Sequence, residues 1–304
     1  MLPFKSLISS NQLTPDTVTT ILDSAQAMQA AIETKGRLRK MDDVVVALLF
    51  FEPSSRTMLS FQAAAQRLHA GTIFAQNSAS TSFEKGESLE DLIRMVDGYS
   101  DIIVMRHPVP GSAEIAANTS TVPFINAGDG GNEHPTQALI DVFTIQKHVG
   151  RLDNLSIAFG FDSLQSRSIH SLTRLLAQYP NNRFTFMGPE ELMPPEAMLN
   201  ELRAAGVECS VVQGIDPALD YDVVYVNRLQ EERFPDKSVF QKKRALFRIT
   251  ADMVKNSRAV VLDPLPRIDE IEVAVDSLPN ALYFKQASYG VPVRMALLDL
   301  MLDR

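Results

Sequence analysis

The run VVVALLFF, residues 44–51, is the longest apolar stretch in the chain. It is too short to cross a bilayer, opens with β-branched residues and has polar residues at both ends. It therefore reads as a strand buried on both faces, and such a strand needs helices above and below it. The following segments fit that demand: a helix at 57–69, a strand at 72–75, a helix at 87–99, a strand at 102–105, a helix from Ser112 and a strand at 122–126. This βαβ alternation predicts a parallel sheet covered by helices. Ahead of it, Thr14, Pro15 and Asp16 make a capped helix start, and Val18, Ile21, Leu22, Ala25, Met28 and Ile32 recur at helical spacing.

A helix beginning near Pro135 interrupts the pattern, which then restarts with strands at 155–159, 183–187, 209–212, 223–227 and 259–262. A last helical segment occupies 287–304. The expected fold is α/β, with two doubly wound parallel-sheet domains joined by helices. Their expected bounds are 1–133, to which the helix at 288–304 returns, and 134–287. A chain of 304 residues suits two cores, and the absence of a fixed internal period excludes solenoids and propellers.

With 45% hydrophobic and 22% charged residues the chain has the profile of a soluble globular protein. A net charge of −8 argues against a nucleic-acid surface, which needs an excess of Lys and Arg. Cys209 is the sole cysteine, so an intrachain disulfide is excluded and a reducing compartment is expected. The opening MLPFKSLISSNQLTPD lacks a basic stretch followed by an apolar one. The expectation is a cytoplasmic protein that binds neither membrane nor nucleic acid.

Within FFEPSSRTMLSF, residues 50–61, Ser54, Ser55, Arg56 and Thr57 sit where strand gives way to helix. Parallel sheets bind ligands beyond the carboxyl ends of their strands, and the free N–H groups of a helix's first turn favour an anion there. Hydroxyls and a guanidinium add donors suited to phosphate. An ordinary serine N-cap beside a surface arginine explains the same tetrapeptide equally well. Other strand ends add to the first reading: 102–105 leads to Arg106 and His107, Asn126 leads through AGDGGNE to His134, and Asn227 leads to Arg228. Of the familiar patterns, HExxH, GxSxG, GxxxxGK and GxGxxG are all missing. An enzyme working by electrostatics, or an anion-binding protein, remains.

FFEPSSRT, STSFEKGES, VMRHP, NAGDGGNEHPTQALID, SRSIHSL, NRLQEERF and DPLPR occur in this order over nearly the whole chain. Together they resemble the catalytic chains of the aspartate carbamoyltransferase family. The resemblance implies transfer of a carbamoyl group from carbamoyl phosphate to the amine of L-aspartate, in pyrimidine biosynthesis, without metal or cofactor. It implies that Ser54, Ser55, Arg56 and Thr57 hold the phosphate, that Thr57, Arg106 and His134 contact the carbamoyl oxygen, and that Gln137 and the carbonyls of Pro264 and Leu265 contact the transferred group. Arg167, Arg228 and Gln230 would receive the aspartate carboxylates. Ser82 and Lys85 would reach into a neighbouring subunit's site, making a homotrimer the smallest active unit. Beside several arginines, His134 is expected to act as a neutral donor rather than as the base. Regulatory chains and an associated dihydroorotase are partners the sequence leaves open.

Two departures fall on the aspartate side. Members of the family usually carry a Gly-Asp-Leu-Lys-Tyr-Gly-Arg-like string where this chain has Phe161, Asp162, Ser163, Leu164, Gln165, Ser166 and Arg167, and a histidine where it has Asp263. Phe161 must then shift the backbone or be accommodated by Gly160, and Asp263 brings a negative charge towards an anion site. The alternatives are a carbamoyltransferase for another amino acid or amine, and a non-catalytic paralogue that binds carbamoyl phosphate. Ornithine carbamoyltransferases typically show a Cys before Leu-Pro and a Ser-Met-Gly motif, and neither occurs here.

Overall fold

The computed structural model describes residues 2–76, 86–229 and 246–303. A two-residue strand, β1 (Ser6–Leu7), precedes α1 (Pro15–Lys35), where Thr14 caps the helix by accepting the N–H of Thr17 and Pro15 opens the first turn. Then come β2 (Val45–Phe50), α2 (Ser55–Arg67), β3 (Gly71–Gln76), α3 (Leu89–Asp97), β4 (Ile102–His107), α4 (Ser112–Thr119), β5 (Phe124–Asp129) and α5 (Pro135–Val149). The second series runs β6 (Ser156–Gly160), α6 (Arg167–Leu176), β7 (Arg183–Gly188), α7 (Glu196–Ala204), β8 (Glu208–Gln213), β9 (Val223–Val226), α8 (Ala251–Lys255), β10 (Val260–Leu262) and α9 (Tyr283–Leu302).

These elements form two compact units, residues 1–143 with 288–304, and residues 144–287. Each holds a five-stranded, wholly parallel sheet, ordered β1-β5-β4-β2-β3 in the first and β10-β9-β6-β7-β8 in the second. The expected α/β class and its two parallel sheets are thus what the chain adopts. The first long strand of each series, β2 or β6, is an interior strand with neighbours on both sides, and the order of connections reverses beside it. That reversal opens a crevice at the carboxyl edge, between β2 and β4 in one unit and between β6 and β9 in the other.

Burial explains why the apolar runs became strands. Val46, Ala47, Leu48, Leu49 and Phe50 are buried on both faces of β2, and all of β9 is buried. The edge strands β3 and β8 contain no fully buried residue. Ala47, Leu49, Ile93, Val96, Ile103 and Phe124 belong to one core cluster of the first unit, and Phe161, Met187, Val224, Val226 and Val261 to one of the second. Among the described residues no helix is long and apolar enough to cross a membrane.

Candidate active site

In the first unit, parallel register sets Phe50 beside Arg106 and Met105 beside Asn126, so β2, β4 and β5 all exit along one edge. At that edge Ser54 is the N-cap of α2, with φ −159° and ψ 86°, and its hydroxyl makes no capping hydrogen bond. The ordinary capping role open to this serine is therefore not the one it takes. The first turn of α2 keeps its outward N–H groups and its positive dipole end without an acceptor supplied by Ser54. Ser55 and Arg56 are exposed, whereas Thr57 is buried.

Arg106 comes off the end of β4 nearly buried, and its Nη2 lies 2.9 Å from Glu52 Oε2. The neighbouring His107 stacks edge-on against Phe51, accepts the Val109 N–H at Nδ1 over 3.1 Å, and is held below the ordinary imidazole pKa chiefly by burial.

His134 is buried just ahead of α5, in a loop tied down by two carboxylates. Asp129 accepts the Gly111 N–H at 3.0 Å and the Glu133 N–H at 3.3 Å. Glu133 accepts the hydroxyls of Ser9 at 3.1 Å and Ser10 at 2.9 Å. His134 Nδ1 lies 3.5 Å from Thr136 Oγ1, and Gln137, half-buried, donates to Asp141 Oδ1 over 2.8 Å. The β2, β4 and β5 exits thus set Ser54, Thr57, Arg106 and His134 at one edge of one sheet.

In the second unit, register places Gly160 beside Val226, so the exits of β6 and β9 are adjacent. The side chain of Asn227 joins them: it accepts the N–H groups of Phe161 and Asp162 and donates to the Asp162 carbonyl at 2.9 Å. Arg167 begins α6 behind a Ser166 cap, Arg228 follows Asn227, and both are half-buried. Phe161 has no positive φ; it is fully buried and tilted against Phe247 at 5.6 Å. Gly188 leaves space for the Phe161 main chain, since a Cβ at position 188 would stand 2.3 Å from the Phe161 carbonyl oxygen.

Asp263 is buried. Its Oδ1 accepts the Leu265 N–H, and its own N–H donates to Gln286 over 2.9 Å. That bond holds Leu265 at φ 58°, a left-handed conformation costly for a leucine, and so fixes the backbone of 264–265 beyond β10. Ser82, Lys85 and Gln230 lie outside the described residues.

Residues 5–147 match the carbamoyl-P binding domain of the aspartate/ornithine carbamoyltransferases, and residues 153–301 match their Asp/Orn binding domain. The chain belongs to this carbamoyltransferase family. It is 42% identical over 300 residues to an aspartate carbamoyltransferase catalytic subunit of Methanocaldococcus jannaschii, covering 98% of each chain. A solved catalytic subunit of aspartate transcarbamoylase from M. jannaschii superposes with a TM-score of 0.93 at 41% identity, over 99% of this chain and 98% of that one. Aspartate transcarbamoylase from Trypanosoma cruzi, solved with carbamoyl phosphate and aspartate, gives a TM-score of 0.91 at 36% identity, over 98% and 96%.

Three residues of this carbamoyltransferase's strand exits escaped the sequence reading. Glu52 is an acidic residue directly after an apolar strand, which is the signal that could have drawn attention to it. Glu133 hides beside His134, and Asn227 reads as the last residue of a strand although its amide does the work of a clasp.

Proposed function

We propose that this chain catalyses transfer of the carbamoyl group of carbamoyl phosphate to the amine of L-aspartate, giving N-carbamoyl-L-aspartate and phosphate in de novo pyrimidine synthesis. The observation that carries this reading is the distribution of cations: Arg106 leaves the switch point of one sheet, with Arg56 in the helical turn nearby in sequence, and Arg167 and Arg228 leave the switch point of the other. Two anionic substrates need two such sets.

In the first unit Ser54, Ser55, Arg56 and Thr57 receive the phosphate at the open end of α2. Thr57, Arg106 and His134 meet the carbamoyl oxygen, where charge grows as the amine attacks. Each preorganised donor at such an oxygen lowers the barrier by about 3 to 4 kcal/mol. Gln137 and the carbonyls of Pro264 and Leu265 orient the transferred group, and the latter two are set by Asp263.

In the second unit Arg167, Arg228 and Gln230 bind the carboxylates of aspartate. The attacking amine is neutral; as it bonds to the carbamoyl carbon, the C–O bond to phosphate breaks and the departing phosphate takes the amine proton. Orientation of the bound pair contributes about 7 kcal/mol or more.

The working form is a cytoplasmic homotrimer in which Ser82 and Lys85 complete a neighbour's site. A steady-state assay for carbamoyl aspartate, run beside a native mass measurement, tests both statements. A folded trimer without turnover would refute the catalytic reading, and a fully active monomer would refute the shared site.

A further inference from the structure

Helix α9 carries a cation that the assignments above do not use. In VPVRMALLDLML, Arg294 is the one basic residue among apolar neighbours, and it is 3% exposed. A buried guanidinium ordinarily faces a carboxylate, because taking a charge out of water is costly. Arg294 has no such partner among the described residues, and its Nε finds no hydrogen-bond acceptor.

It contacts α2 instead. Its Nη1 donates to Ser60 Oγ, and its guanidinium carbon lies 4.7 Å from the Phe61 ring centroid. The Ser60 hydroxyl in turn donates to the carbonyls of Arg56 at 2.5 Å and Thr57 at 3.0 Å, the residues that close the first turn of α2. Gly290, one turn earlier on α9, keeps the place open: a Cβ there would stand 2.9 Å from Nη1. Burial, and then the nearby Arg106, push the guanidinium pKa down to about 9, which still leaves it charged at neutral pH. A buried guanidinium with no carboxylate partner among the described residues is unfavourable unless an anion neutralises it.

We propose that Arg294 is a positioning residue for the anion site of the first unit: through Ser60 it fixes the α2 turn bearing Arg56 and Thr57, and its charge, which has no carboxylate partner among the described residues, draws the phosphate to that turn. This rests on the phosphate role assigned to 54–57.

The test measures inorganic phosphate binding by calorimetry, together with carbamoyl phosphate kinetics, on wild-type, R294M, R294K and S60A proteins. Wild-type protein should bind phosphate and turn over. R294M should bind phosphate at least tenfold more weakly, with KM for carbamoyl phosphate raised in parallel. R294K should recover much of that affinity by restoring charge, and S60A, which keeps the charge and loses the tether, should fall between.

Removing a lone buried cation should leave the melting temperature unchanged or higher, whereas a merely structural Arg294 would lower it and leave phosphate affinity alone. Phosphate affinity in R294M equal to wild type overturns the inference while the functional reading stands. Should R294M not fold, R294K and S60A both matching wild type overturn it equally. Wild-type protein that neither binds phosphate nor turns over overturns the functional reading and this inference with it.

Discussion

Arg106 and Glu52 meet across 2.9 Å at the exits of adjacent strands, the arginine side chain 9% exposed and the glutamate 31%. Glu52 holds the guanidinium at the sheet edge where carbamoyl phosphate is proposed to bind. Replacing Arg106 by Ala should slow turnover by about 10²- to 10³-fold, the loss typical of one oxyanion donor. Glu52 is exposed enough to hydrate once its partner is gone, so circular dichroism should report an intact fold. A near-normal rate in R106A would remove Arg106 from the mechanism.

Arg228 follows the Asn227 clasp and is assigned to an aspartate carboxylate. Hydrogen bonds to a charged group contribute about 1.5 to 3 kcal/mol, so Arg228→Ala should raise KM for aspartate roughly 10- to 150-fold. Phosphate affinity, assigned to residues of the other unit, should not change. An unaltered aspartate KM in a variant with normal phosphate binding would withdraw the assignment.

How much of this was legible beforehand differs by element. Strands β2, β4 and β9 announced themselves because burial on both faces demands unbroken apolar runs. β1 could not be seen: two residues carry no periodicity, and only pairing with β5 makes Ser6 and Leu7 a strand. α9 starts at Tyr283, ahead of the expected 287, because ends of helices are set by local contacts that sequence pattern does not carry. The arginines at strand exits were legible from order along the chain alone. Glu52 and Arg294 were not, since a charge after a strand or within a helix reads as solvated until its burial is known. Asp263 shows the limit from the other side: its sign was legible, but the hydrogen bond to Leu265 was not.

The Asn227 amide satisfies two N–H groups and one carbonyl in the buried turn after β6. Each buried polar group left without a partner costs about 1 to 3 kcal/mol. Asn227→Ala should therefore lower the melting temperature by several degrees and raise KM for aspartate, because Arg167 lies just beyond that turn. Asn227→Asp keeps both acceptor bonds and loses only the donor, so thermal unfolding should rank it between Ala and wild type. Equal stability of all three proteins would show that the clasp contributes nothing.

Arg267, two residues after the proposed substrate-facing stretch at 264–265, is anchored by Asp276 and by Tyr283 Oη at 3.2 Å. Its guanidinium carbon also lies 5.4 Å from the Tyr283 ring centroid. The hydrogen bond from Arg267 is the main cause holding the Asp276 carboxyl below its ordinary value of 3.8. The sign of the pH effect follows from that direction. A carboxyl whose pKa is depressed by folding stabilises the protein above its unfolded pKa, and this contribution is lost as pH falls through the folded value. Asp276→Asn should thus unfold at a lower urea concentration than wild type at pH 7. The gap should narrow below about pH 4, where the unfolded chain takes up the proton, and close once pH falls below the lowered folded value. Chemical unfolding of both proteins from pH 7 to pH 3 checks this, and a gap that stays constant over the range would mean that the Arg267–Asp276 pair does not stabilise through charge.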